Sequence, residues 1–180
     1  MDAFKNNRVV LRALEPDDIE ILFKWENDRS IWEVSNTIAP FSRYVLTKYI
    51  ESSHLDIYQT RQLRLMIDVT VNGKDKTIGA VDLFDFEPHH LRAGIGVLIG
   101  DKHERGKGYA QEALSALMQY VFNTLQLKQV YCNIMPQNTT SINLFKKLGF
   151  ELIGKKKSWI KTIDGFNDEL MFQCINPSYR

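Results

Sequence analysis

The residues best placed to do chemistry are the run Arg105-Gly106-Lys107-Gly108-Tyr109-Ala110. It lies between a short apolar segment, Ile95–Ile99, and an apolar-striped stretch from Gln111 to Leu125. Strand, glycine-rich turn and helix in that order make an anion site. Backbone N–H groups without crowding side chains can converge on a phosphate, and the helix N-terminus adds a favourable dipole. The spacing predicts that Ala110, Ala113, Leu114, Leu117, Val121 and Leu125 share one helical face. A Walker loop, Gly-x4-Gly-Lys-Ser/Thr, is absent, and Gly106 and Gly108 lack the third glycine of a dinucleotide fingerprint. Gly94 and Gly96 fall inside a strand pattern, which predicts a bulge or the close approach of another backbone.

The elements that must position this run read in order. Val9–Leu14 is a first strand, and Pro16-Asp17-Asp18 opens a helix on which Ile19, Leu22, Phe23 and Glu26 share helical spacing. Residues 28–41 are irregular, and Ser42 caps a second helix running to Ile50. Leu63–Val71 and Thr77–Phe86 make a hairpin around Asn72-Gly73, and Arg92–Ile99 is the next strand. After the central helix come a strand at Gln129–Ile134, a helix at Thr140–Leu148, and a final hairpin around Asp164-Gly165. The sum is one domain, residues 1–180. Its fold class is α/β (α+β): a mixed, mostly antiparallel central sheet of about seven strands flanked by about four helices.

Two motifs carry a family resemblance. Arg105-x-x-Gly108-x-Ala110 resembles the pyrophosphate-binding signature of the GNAT N-acetyltransferases. Downstream, Asn138-x-x-Ser141-x-x-Leu144-Phe145-x-x-Leu148-Gly149-Phe150 is similar to that family's Asn…Leu-Tyr…Gly-Phe segment. The resemblance implies acetyl-CoA as co-substrate, entering where the fourth and fifth strands splay apart. It implies that the amides of Arg105, Gly106, Lys107, Gly108, Tyr109 and Ala110 hold the pyrophosphate. By the same token Val97, Leu98, Ile99 and Asn138 contact the pantetheine arm. Features near both ends, Leu11-Arg12-Ala13-Leu14 and Gly165-Phe166-Asn167-Asp168, resemble the branch with spermidine and ribosomal-protein N-terminal acetyltransferases.

Acetyl transfer to an amine also needs a neutral nucleophile and a stabilised leaving thiolate. Many family members place a proton-donating tyrosine on the last helix, where this chain has Phe145, which cannot donate. Ser141, four residues back on the same face, is the substitute the resemblance offers; its alternative is a local bond to backbone. An alkylamine has a pKa near ~10 and must lose a proton before attack. The candidate bases are Glu33 beside Trp32, Asp82, and His89 or His90, each with surface charge or an exposed turn as the duller reading. No third ligand accompanies His89-His90 at metal spacing, so no metal is expected.

Composition bounds the partners. A net charge of +1 gives no global field for nucleic acid or anionic membrane. The absence of a long apolar stretch or a signal-type N-terminus makes a cytoplasmic location the expectation, with Cys132 and Cys174 as buried thiols. Residues 1–60 hold ten acidic side chains against seven Lys/Arg, which leans toward a cationic acceptor such as a polyamine. A peptide N-terminus and a homo-oligomeric state stay open. A reading of another class, a non-catalytic acyl-CoA sensor, is separated from the enzyme by tight cofactor binding without transfer.

Overall fold

The structure, a computed structural model, describes residues 4–35 and 37–179, with the side chains of Lys5, Glu33 and Val34 outside the described set. Strand alternation builds one sheet with two buried faces. Its strands are β1 (Lys5–Asn6), β2 (Val9–Arg12), β3 (Leu63–Val71), β4 (Lys74–Glu87), β5 (Arg92–Ile99), β6 (Gln129–Ile134), β7 (Glu151–Thr162) and β8 (Gly165–Ile175). They lie in the order β1-β2-β3-β4-β5-β6-β8-β7. The seven expected strands are present behind the two-residue β1, so the expected fourth and fifth strands are β5 and β6.

Among the described residues six α-helices flank the sheet: α1 (Ile19–Glu26), α2 (Arg29–Ser35), α3 (Arg43–Glu51), α4 (Ile57–Thr60), α5 (Tyr109–Asn123) and α6 (Thr139–Lys147). The count of about four missed α2 and α4, of which α2 falls in the stretch read as irregular. Both are too short to display a 3.6-residue period, and both begin on an aspartate. Asp28 accepts the Ser30 N–H at 2.9 Å, and Asp56 accepts those of Tyr58 and Gln59, each at 2.9 Å. The expected cap at Ser42 is there, accepting from the Val45 N–H at 3.2 Å. Asn72 and Gly73 both take positive φ, 51° and 74°, as a two-residue hairpin turn requires.

Residues of β5 sort cleanly by face. Ala93 and Ile95 pack with Ala113, Leu114, Ala116, Leu117 and Val121 of α5 and with Phe145 of α6. The opposite face carries a second cluster, in which Leu22, Trp25, Ile31, Leu46 and Ile50 of α1 to α3 cover Met66 and Ala80. Each fully buried leucine contributes roughly 1.5–3 kcal/mol through the hydrophobic effect. The two strand glycines singled out in the sequence do not meet another backbone: Gly94 is needed for a side-chain ring, Gly96 has room to spare, and the close backbone approach falls at Gly79 instead. A Cβ on Gly94 would lie 2.2 Å from the Phe84 ring, and one on Gly79 would lie 2.1 Å from the Leu98 carbonyl oxygen. Cys132 is buried, and burial pushes its thiol up to about 12; Cys174 is only half-buried, short of the expectation. No helix among the described residues is long and apolar enough to cross a membrane.

All neighbouring strands are antiparallel except β5 and β6. Their parallel ladder is short: Arg92↔Gln129, Ala93↔Val130 and Gly94↔Tyr131. Beyond it β5 stays with β4 as far as Ile99↔Gly79, while β6 stays with β8 as far as Ile134↔Leu170. Each strand follows its outer neighbour, so the pair opens into a notch. The β5 edge from Ile95 to Ile99 faces it without a strand partner.

Candidate active site

The notch leads to the glycine loop. Gly106 and Gly108 hold φ of 76° and 89°, in the left-handed region that favours glycine. The backbone N–H groups of Gly106, Lys107 and Gly108 make no hydrogen bond among the described residues, and Gly108 caps α5 without a side-chain bond. The first turn of α5 adds the unpaired N–H groups that every helix start leaves. The result is an exposed set of backbone donors at the positive end of a helix dipole.

Surrounding charges fix this loop rather than fill it. Arg105 donates from Nε to the Ile99 carbonyl at 2.8 Å, tying the loop to the end of β5. Lys107 pairs with Glu104 at 2.7 Å, and its carbonyl accepts from Arg8 at 2.9 Å. The Arg8 guanidinium also lies 4.6 Å over the Tyr109 ring and donates from Nε to Glu112 at 3.0 Å. Lys107 holds the Glu104 carboxyl below its usual range, against its burial and with help from Lys76. The loop is thereby braced while its backbone N–H groups stay unengaged, a donor set that suits an anion.

On the other face of the sheet, α1, α2 and α3 wall a cavity of about 650 Å³ that reaches the notch at Gly96, Val97 and Leu98. Its polar lining is concentrated. Arg64 on β3 donates from Nε and Nη2 to the Asp82 carboxylate at 2.7 and 3.1 Å, and from Nη1 to Glu26 at 2.5 Å. Burial works against the Arg64 charge, but Asp82 and Glu26 more than offset it and its pKa is raised. Tyr49 lines the same cavity, and burial raises its phenol above the ordinary value. Across the notch Glu169 is buried and takes Lys156 at 2.7 Å, and Lys156 also donates to Asn133 at 3.3 Å.

The expected site residues distribute around this geometry. Val97 and Leu98 line the cavity, and the Arg105–Ala110 loop is tied through Arg105 to Ile99 at the end of β5. Asn138 caps α6 by accepting the Ser141 N–H at 3.1 Å; neither residue lines the cavity. The Ser141 hydroxyl makes no hydrogen bond among the described residues. Phe145 is buried, its ring 5.0 Å from that of Phe150. Glu33 falls on α2, but its side chain lies outside the described residues. His89 and His90 meet edge to face, ring centroids 4.8 Å apart, in the exposed β4–β5 turn and line no part of the cavity. No metal-holding cluster occurs among the described residues. Asp82 belongs to the cavity, whereas Glu26, Arg64 and Glu169 went unsuspected. The legible signal was Glu26, a charge in register with the apolar face of α1.

Comparison with known proteins bears on this arrangement. A family model described as an acetyltransferase (GNAT) domain matches residues 8–151. The N-acetyltransferase p20 of Bacillus licheniformis is 28% identical, covering 99% of each chain. The spermidine N(1)-acetyltransferase of Vibrio cholerae is 24% identical over 81% of this chain and 80% of its own. A crystal structure of spermidine N-acetyltransferase from Vibrio cholerae with CoA and spermine superposes with a TM-score of 0.86 at 21% identity, covering 97% and 99%. A further structure of the Vibrio cholerae enzyme, described as dodecameric, has a TM-score of 0.78 at 22% identity, covering 97% of each chain. The chain belongs to the GNAT acetyltransferase family and takes acetyl-CoA as its acyl donor.

Proposed function

We propose that this acetyltransferase moves the acetyl group to a primary amine, a polyamine or another small amine, by direct attack on the thioester. The observation that carries the reading is the cavity that meets the unpaired β5 edge and, among the described residues, is lined by Glu26, Asp82 and Glu169 against one cation, Arg64. Such a lining attracts an ammonium group. Val97, Leu98 and Ile99 offer their free edge to the pantetheine arm, and Asn138 retains its amide donors for the same arm. The Arg105–Ala110 amides take the pyrophosphate.

The amine nitrogen bonds to the acetyl carbon, the carbon–sulfur bond breaks, and its electron pair leaves on sulfur. A primary ammonium enters with three protons and the amide keeps one. Of the two released, one goes to solvent and the other neutralises the thiolate, with the Ser141 hydroxyl as donor. Holding amine and thioester together supplies much of the rate enhancement.

A peptide N-terminus is a second acceptor class. It is favoured by a groove of about 840 Å³ that continues past Asn133 over the open face of β6 and β8. The Vibrio cholerae enzyme was solved with spermine and as a dodecamer, which supports the amine and self-association of this chain too. Thiol release from acetyl-CoA with spermidine, spermine and short peptides as acceptors tests the acceptor class. Light scattering in solution tests assembly.

A further inference from the structure

We propose that Asp82 is the acceptor-binding carboxylate, held in place by Arg64 as a positioning residue. Together with Glu26 they form a cluster whose one uncompensated negative charge selects a cationic amine. The inference rests on the acetyl-transfer reading and adds residues to it.

Among the described residues three carboxylates line the cavity, and geometry separates them. Asp82 lies on β4 directly opposite Gly96 of β5 in the ladder. A Cβ on Gly96 would meet the Phe84 ring at 3.8 Å, and Gly96 itself puts no side chain beside Asp82 on the strand whose far edge opens on the notch. Paired residues on antiparallel strands sit roughly 4.5–5.5 Å apart. Asp82 is thus one strand away from where the donor's thioester passes. Glu26 approaches the guanidinium from α1, on a different nitrogen from those that take Asp82. Glu169 belongs to Lys156 on the other side of the notch. Within the cluster Asp82 is also the most open member, with its side chain 27% exposed against 22% for Arg64 and 16% for Glu26.

The hydrogen-bond count points the same way. A carboxylate has about four lone-pair sites, and Arg64 takes one on each oxygen of Asp82. The remaining sites can accept two N–H bonds from an ammonium. The Arg64 fork fixes the carboxylate plane, because a bidentate pair constrains orientation as well as distance. One guanidinium facing two carboxylates leaves a net charge of −1, the complement of one ammonium. Once that ammonium gives a proton to solvent, the N–H groups still held by Asp82 orient the nitrogen lone pair toward the thioester.

The test compares the wild type with Asp82→Asn, Arg64→Lys and Glu26→Gln. Thiol release is measured with an alkylamine and with an acyl hydrazide of equal length, which is neutral at neutral pH. Asp82→Asn is expected to raise KM for the alkylamine roughly tenfold to a hundredfold, the worth of a hydrogen bond to a charged group. KM for the hydrazide and the affinity for acetyl-CoA should hold, which also shows that the variant folds. Arg64→Lys keeps the charge without the fork, and should lower kcat for both acceptors more than it changes KM. Glu26→Gln should raise the alkylamine KM less than Asp82→Asn does. An alkylamine KM unchanged in Asp82→Asn, or raised equally for both acceptors, overturns the proposal. Should the wild type release no thiol with any amine, the acetyl-transfer reading fails by itself. Calorimetric binding of the alkylamine then decides this one: equal affinity in wild type and Asp82→Asn overturns it.

Discussion

Replacing Gly106 with alanine isolates the role of the loop backbone. Nothing lies within 4 Å of a Cβ built there, so no clash is created. What the substitution adds is strain, because an L side chain at φ of 76° costs about 1–2 kcal/mol. That strain has two outlets. If the loop keeps its shape, the folded state loses the full amount, and a domain of this size melts roughly 2–8 °C lower. If the loop relaxes instead, its N–H groups turn away, stability is spared, and acetyl-CoA binds roughly 5- to 30-fold more weakly. Gly154→Ala is the control, since that glycine also has nothing within 4 Å and does not have a left-handed φ. Calorimetry with acetyl-CoA and with acetyl-pantetheine, which lacks the pyrophosphate, separates cradle from notch. Any loss of affinity should be confined to acetyl-CoA. A variant that melts and binds like the wild type refutes the strain argument. One that weakens both ligands equally refutes the assignment of the loop to the pyrophosphate.

Other consequences can be checked in parallel. Ser141→Ala leaves the α6 cap intact, because Asn138 accepts the backbone N–H of residue 141. It should therefore cut kcat roughly tenfold or more at unchanged melting temperature, as expected for loss of a proton donor. Asn138→Ala removes the cap and should cost about 1 kcal/mol, read as a lower urea midpoint. Cys132, buried with its thiol at about 12, should resist alkylation in the native protein and react once it is unfolded in urea; mass mapping reports both. The Ser30 hydroxyl, Lys102 and the Ser30 N–H hold Asp28 down to about 2, below its unfolded value of about 3.9. A carboxylate depressed in this way adds stability above the unfolded pKa and loses it as pH falls through the folded one. Urea midpoints should therefore drop from about pH 4 toward pH 2, with that part of the slope missing in Asp28→Asn.

How much of this was legible depended on sequence separation. The α5 face could be read because its apolar spacing runs through Ala113, Leu114, Leu117 and Val121, all fully buried. The loop glycines and the cap at Ser42 are local signals of the same kind. The notch was not readable from residues, because it depends on where the β5–β6 ladder stops, at Gly94↔Tyr131; only the family resemblance implied it. The Glu26–Arg64–Asp82 cluster was hidden for a similar reason. Its members lie 38 and 18 positions apart and meet only through the β3–β4 register Arg64↔Asp82 and the docking of α1. A lone arginine in a strand reads as surface until its partners are known. Phe145 also shows the limit of motif reading: the family resemblance implies a tyrosine at its position, and here its ring packs in the core beside Phe150.

On the proposed function, the acidic cavity and the open β5 edge together move an acetyl group to an amine. Thiol release from acetyl-CoA, followed by absorbance across spermidine, spermine, aminoglycosides and short peptides, reports that transfer. Saturable, amine-dependent release is the predicted result, with cationic amines giving the lowest KM. Tight, saturable acetyl-CoA binding with no release above the amine-free rate for any acceptor would contradict it and leave the acyl-CoA sensor as the better account.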